Sequence, residues 1–266
     1  MSLWQAIALG IIQGLTEFLP ISSTAHLRII PAWLGWNDPG AAFTAVIQLG
    51  TLAAVFLYFA RDIAAITKDT LTGQSKMGWM ICAGTIPIVV AGLACKSYIE
   101  HHWRSLYIIA AAMIGLAVVL ALAEWLERRR QKLREMNNVG WLDAMIIGCF
   151  QAVALIPGSS RSGCTIAGGL FLGFKRDVAA RFSFLLSLPA VFAAGVLELK
   201  ELRHANALDW QNVAVATLVS FLVGYVSIAF LLDYLRRHTT WVFILYRLVL
   251  GGLLLAALAT GKLAPL

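Results

Sequence analysis

Six stretches of this chain are apolar over a length that crosses a bilayer, for which about 20 helical residues are needed. They lie near Ala42–Phe59, Trp79–Ser97, Leu106–Leu126, Ala180–Leu199, Asn212–Leu232 and Trp241–Thr260. Two further apolar stretches have a different pattern. Leu3–Leu34 is broken by Thr16-Glu17 and by Pro20-Ile21-Ser22-Ser23-Thr24, and Trp141–Phe174 by Pro157-Gly158-Ser159-Ser160-Arg161-Ser162-Gly163. Each half is too short to span. Helix, polar break, helix predicts a re-entrant hairpin, whose irregular backbone must face protein or a wet cavity rather than lipid.

The two interruptions resemble each other. Gly10-x-x-Gln13 precedes Pro20-x-Ser22-Ser23-Thr24, and Gly148-x-x-Gln151 precedes Pro157-x-Ser159-Ser160-Arg161. Each hairpin is followed by three spans. This predicts two repeats, 1–136 with a hairpin over 3–35 and 137–266 with a hairpin over 141–174. A hairpin plus three spans is an odd number of crossings, so the second repeat must be inverted. Inverted repeats with broken helices place a ligand site where the breaks meet, near the bilayer midplane. The expected fold is therefore an all-α integral membrane protein with six transmembrane helices plus two re-entrant helical hairpins.

Charge sets the orientation. The loops 61–77, 127–140, 174–181 and 233–240 carry Arg61, Lys68, Lys76, Arg128, Arg129, Arg130, Lys132, Arg134, Lys175, Arg176, Arg181, Arg236 and Arg237. The opposite side has only Arg28, Lys96, Arg104, Lys200, Arg203 and Lys262. The positive-inside rule makes the first side cytoplasmic, with both termini and the mouth of the first hairpin outside. Trp36, Trp79, Trp103, Trp141, Trp210 and Trp241 fall near segment ends, as interface anchors do.

Composition agrees with a lipid environment. Of 266 residues, 60% are hydrophobic and 13% charged, against about 25% charged in a typical soluble domain. The net charge of +7 does not point to nucleic acid, because the basic residues cluster at the ends of apolar segments, where they control topology and meet anionic lipid. Cys82, Cys95, Cys149 and Cys164 lie in apolar stretches without metal-site or disulfide spacing, and read as small packed residues. No cleavable signal is expected at the start, which lacks a basic n-region.

The breaks hold the chemistry. Gln13 and Glu17 are four residues apart and share a helix face. Pro20 ends that helix, and Ser22 or Ser23 can cap a second one with His26 in its first turn. A helix N-terminus disfavours an imidazolium, which leaves His26 as a neutral base or nucleophile. In the second break, Ser159, Ser160, Ser162, Thr165, the glycines and the free N–H groups of the following helix make an anion cradle. Arg161 adds a cation with bidentate phosphate geometry. Ionisable groups at membrane depth default to function, and Arg161 can also neutralise Glu17 across the repeat axis. Glu124 and Arg247 are expected to pair as a structural bridge. The pairs Gly10/Gly14 and Gly169/Gly173 signal close helix packing, with a homodimer face as one outcome.

QGLTEFLPISSTAH followed by PGSSRSGCT, with FTAVIQLGTLAAV and the late Tyr246-Arg247, resembles the undecaprenyl-diphosphatase family, the bacitracin-resistance phosphatases. The resemblance covers nearly the whole chain. It implies hydrolysis of undecaprenyl (polyprenyl) diphosphate to the monophosphate carrier of cell-wall synthesis, in the bacterial plasma (inner) membrane, at a site open to the periplasm. By position it makes Glu17 the essential acid, His26 and Ser23 the nucleophile or proton-transfer residues, and Arg161 the phosphate-binding cation. Gln13, Ser22, Thr24, Ser160, Ser162, Gly163 and Thr165 become substrate contacts. Gln13 stands where many members carry Glu, which weakens a two-acid metal site but leaves an amide oxygen; Mg²⁺ or Ca²⁺ on Glu17 and Gln13 is the expected cofactor. The rival reading is a flippase or anion transporter, since inverted repeats with broken helices also build transporters.

Overall fold

The computed structural model describes residues 1–103, 105–202 and 210–264; the side chains of residues 41, 96–102 and 197–202 are outside that description. Of the residues on the basic-poor side, Arg104 and Arg203 and the side chains of Lys96 and Lys200 therefore lie outside the described residues. Eleven α-helices form among the described residues, with no strand beyond a single bridge between Arg134 and Phe174.

Both broken stretches fold as helix–break–helix. The first is α1 (Leu3–Phe18) and α2 (Ser23–Leu34); the second is α7 (Trp141–Val153) and α8 (Arg161–Phe171). Between and after them run α3 (Gly40–Tyr58), α5 (Met77–His102), α6 (Leu106–Arg128), α9 (Arg176–Leu202), α10 (Trp210–Arg237) and α11 (Trp241–Ala259). Five of these are long and apolar enough to cross a membrane by themselves. A sixth candidate span is α3, which meets the length and apolarity of a span together with α4 (Ala60–Leu71), into which it bends by 72°. The chain is an all-α integral membrane protein with several spans.

The helix α4 corrects the expectation of a loop over 61–77. Arg61, Asp62, Lys68 and Asp69 read as loop charges, yet they alternate with Ile63, Ile66 and Leu71 on an amphipathic helix with no buried residue. Helices α9 and α10 also outrun their apolar windows, at ends where Arg176 pairs with Glu124 and Arg236 with Asp177, because charged residues can continue a helix while keeping their heads in ion pairs or water.

The basic loops gather at one end of the molecule. Arg181 on α9 meets Asp62 on α4 at 2.5 Å, Arg236 meets Asp177 at 3.8 Å, and Lys175 pairs with Glu135. The second hairpin starts from this end, where Arg134 holds Asp143 on α7 at 2.6 Å and Arg130 donates to the Phe171 carbonyl of α8 at 2.7 Å. The first hairpin starts from the other end, where the Met1 carbonyl accepts from Asn212 at the head of α10 at 2.7 Å. The hairpins thus enter from opposite ends and meet inside. Bulky apolar side chains such as Leu93, Leu142, Phe230 and Leu245 face outward along the helices, as lipid-facing residues must. Trp79, Trp141, Trp210 and Trp241 stand exposed at helix starts.

Glycines let the hairpins seat closely. On Gly10 of α1 a Cβ would lie 2.6 Å from the Ala216 carbonyl of α10, and on Gly148 of α7 it would lie 2.1 Å from the Gly84 carbonyl of α5. Gly14 presses on Gly224, Gly169 on Ala179, and Gly173 (φ 83°) turns the chain after α8. These glycines are consumed inside the chain, so the homodimer face expected of them is not available to a second copy.

Candidate active site where two broken helices meet

The two breaks share one backbone. Ser22 caps α2 with φ 76°, and Ser160 caps α8 with φ 70°. They are the two non-glycine residues with positive φ among those described, a conformation that costs about 1–3 kcal/mol and gathers at functional sites. Each cap oxygen accepts from the backbone N–H three residues on, Ser22 from Ala25 at 3.4 Å and Ser160 from Gly163 at 3.2 Å. Each also bonds the hydroxyl two residues on, Thr24 at 3.1 Å and Ser162 at 3.2 Å. The cap serines lie nine residues after Gln13 and Gln151. The repeats therefore match without a gap, Ser22 with Ser160 and Ser23 with Arg161. The sequence pairing anchored on Pro20 and Pro157 was one residue out, because the cap rather than the proline sets the turn.

The tips touch. The Gly158 N–H donates to the Thr24 hydroxyl at 3.3 Å, and the Ser162 hydroxyl donates to the Leu19 carbonyl at 3.2 Å. Glu17 sits at this junction, 6% exposed. Its Oε2 accepts from the Ser23 hydroxyl at 2.6 Å and from the Gln13 amide at 2.9 Å. Its Oε1 accepts from Gln48 on α3 at 2.8 Å and from the guanidinium of Arg161, reaching across from the other hairpin. The matched positions Ser23 and Arg161 thus converge on one carboxylate. The backbone N–H groups of Ser23, Thr24, Arg161 and Ser162 at the two helix starts have no partner among the described hydrogen bonds, and such groups favour an anion.

His26 is buried on the same turn but belongs to a second group. Its Nδ1 faces the Ser22 carbonyl at 2.7 Å, and its Nε2 faces the Tyr246 hydroxyl of α11 at 2.6 Å. A carbonyl only accepts, so the neutral ring carries its proton on Nδ1, and Tyr246 donates to Nε2. No described hydrogen bond joins His26 to Glu17. Thr165 points away too, to the Arg161 carbonyl at 2.8 Å and Ser183 at 2.5 Å. Gly163 packs closely, since a Cβ there would sit 2.9 Å from Leu116 Cδ2 and 3.3 Å from the Ser160 side chain.

Gln48, Tyr246 and Ser183 were not among the expected site residues. Gln48 and Ser183 are polar side chains inside apolar spans, a signal that was available. The expected Glu124–Arg247 pair does not form. Glu124 holds Arg176 at 2.6 Å and caps α11 through Thr240 at 2.8 Å, while Arg247 turns inward to main-chain carbonyls at the hairpin tips.

As for a metal, no group of three His, Cys, Asp or Glu side chains that could hold one occurs among the described residues. One observation fits an ion: Gln13 Oε1, beside Glu17, is buried without a partner, a hard oxygen of the kind Mg²⁺ and Ca²⁺ take.

The family model described as bacitracin resistance protein BacA matches residues 6–253. The chain belongs to the BacA family. Relatives named undecaprenyl-diphosphatase match along its whole length. The protein of Chlorobium phaeobacteroides is 58% identical over 280 aligned positions, covering 99% of each chain. That of Chloroherpeton thalassium is 59% identical with the same coverage, and that of Chlorobaculum tepidum 57% identical over the full length of both. The signatures of the BacA family read in the sequence, around Glu17 and Arg161, are the segments that form the junction.

Proposed function

We propose that this protein is an undecaprenyl-diphosphate phosphatase whose reaction takes place between the two hairpin tips. The observation that carries the reading is the Glu17 carboxylate, held inside the membrane by Ser23 from its own hairpin and by Arg161 from the other, in a chain whose relatives share that enzyme name. The name favours hydrolysis over the flippase or transporter that the same architecture allows. The helix packing supports two inverted repeats over 1–136 and 137–266: α1 lies on α10, the second span of the other half, and α7 lies on α5 in the same way.

On binding, the terminal phosphate takes Arg161 from Glu17, and the free N–H groups at both helix starts bear its negative charge in the transition state. Glu17, released from its cation, draws the proton from Ser23. The Ser23 oxygen bonds to the terminal phosphorus as the anhydride P–O bond breaks, and undecaprenyl monophosphate leaves with the proton from Glu17, which returns the carboxylate to its ionised form. Water then attacks the phosphoserine, its proton passing to Glu17 and returning to Ser23 as inorganic phosphate departs. Ser23 is a better nucleophile than His26 because it alone is bonded to the base, the arrangement that activates a hydroxyl. His26, one turn along the same helix face, is the proton-transfer residue. Ser22, Thr24, Ser160 and Ser162 shape the cradle. A Mg²⁺ or Ca²⁺ held by Glu17, Gln13 and phosphate oxygens would supply further charge neutralisation.

The loop charges support a periplasmic mouth for the first hairpin and periplasmic termini, in a bacterial plasma membrane. A second copy would need a face other than the buried glycines.

Phosphate release from C15 and C55 diphosphates by the purified protein, with and without chelator, is the test. The expected result is release by the wild type and a phospho-enzyme that is lost in Ser23→Ala but kept in His26→Ala. Release that survives both Glu17→Gln and Arg161→Ala would contradict the proposal.

A further inference from the structure

Arg247 on α11 is fully buried, and its guanidinium has no carboxylate partner among the described residues. It donates instead to five main-chain carbonyls: Met113 at 3.1 Å and Ala112 at 3.3 Å on α6, Pro20 at 3.3 Å on the first hairpin, and Gly158 at 2.9 Å and Ser159 at 3.2 Å on the second. Pro20 and Gly158 are matched positions, each two residues before its cap serine. One side chain therefore grips the same point of both repeats.

A charge buried at this depth is costly, and apolar packing would hold four helices together at less expense. What apolar packing cannot do is fix the aim of two irregular turns whose carbonyls have lost their helical partners. A planar fork with five donors can. The preceding residue on α11, Tyr246, holds His26 at 2.6 Å, so a single helix registers both tips and the imidazole.

We infer that Arg247 is a positioning residue for the hydrolysis: it locks the two tips against each other so that Ser23 and Glu17 meet the phosphate held by Arg161. This rests on the proposed reaction at the junction. It predicts that Arg247 acts on turnover more than on substrate affinity, because a misplacement of about 1 Å in a reacting pair costs around a hundredfold in rate.

The experiment uses the full chain in lipid nanodiscs. Hydrogen exchange of peptides spanning 19–26 and 156–164 is compared in the wild type, Arg247→Lys and Glu124→Gln, alongside kcat and KM for C15 diphosphate and the melting temperature. The hydrogen-bonded wild-type tip amides, those of Ala25, His26, Gly163 and Cys164, are expected to exchange as slowly as the interior of α6, and the unpartnered ones at the two helix starts faster. Arg247→Lys should speed exchange in both tips together and lower kcat at least thirtyfold, with KM changed less than threefold. Glu124→Gln, in the ion pairs at the far end of α6, should lower the melting temperature while leaving the tips and kcat near wild type. Fast exchange of those hydrogen-bonded amides in the wild type would overturn the inference even if no Arg247 variant folds. So would an Arg247→Lys protein that frees only one tip, keeps its kcat, or loses activity only in step with its melting temperature. A wild type that releases no phosphate yet has protected tips would defeat the proposed reaction and leave the clamp standing.

Discussion

The two hairpins have the same backbone and opposite chemistry. Both end a short helix at a break, both cap the next helix with a serine at positive φ, and both place a hydroxyl two residues beyond it. At the matched positions, however, Ser23 faces Arg161, His26 faces Cys164 and Glu17 faces Leu155. The first hairpin carries the base, the hydroxyl and the imidazole, and the second carries the cation. A duplicated backbone supplies two helix starts aimed at one point, and divergence at three positions turns a symmetric anion cradle into a site with a reactive side and a holding side.

Copying the second hairpin into the first should break the site most severely. Glu17→Leu, which reproduces Leu155, leaves Arg161 as a part-buried cation without its partner, a change that costs up to about 3–5 kcal/mol. Phosphate release should fall by more than a thousandfold, and the melting temperature in detergent should drop. The seating of the hairpins gives a smaller and purely structural contrast. Gly148→Ala must push against the Gly84 carbonyl at 2.1 Å and Gly10→Ala against the Ala216 carbonyl at 2.6 Å; both should destabilise, by about 1–3 kcal/mol as overpacking does, with Gly148→Ala showing the lower melting temperature. The smallest effects belong to the matched glutamines. Gln13 serves Glu17, whereas both polar atoms of the Gln151 amide are buried without a partner. Gln13→Leu should cost roughly tenfold in kcat/KM, as loss of a hydrogen bond to a charged group does. Gln151→Leu should leave turnover within a factor of three and raise the melting temperature. Equal losses from the two would erase the functional asymmetry.

Much of this was legible in the sequence, because lipid leaves few options. Apolar runs long enough to span gave the spans, and Pro, Gly and Ser inside two other runs gave the hairpins. Glu17 and Arg161 could be joined across 144 residues because charges at that depth need each other. The same rule misled at Arg247. Pairing it with Glu124 assumed that a cation seeks an acid, yet broken helices expose carbonyls that a guanidinium can use instead. Gln48 and Tyr246 reach the site from other spans, and no local pattern says which way a single polar residue on a long helix will point. The helix α4 was hidden because its charges are solvated on one face, and solvated charge is also what a loop presents.

The central claim is that Glu17 and Arg161, from opposite hairpins, act as one unit on the phosphate. A double-mutant cycle on phosphate release tests it most directly, with Glu17→Gln, Arg161→Gln and the combined variant measured on the same C15 diphosphate in the same nanodiscs. The account predicts that the double variant is scarcely slower than the worse single one. Losses that multiply would place the two residues in separate roles and contradict it.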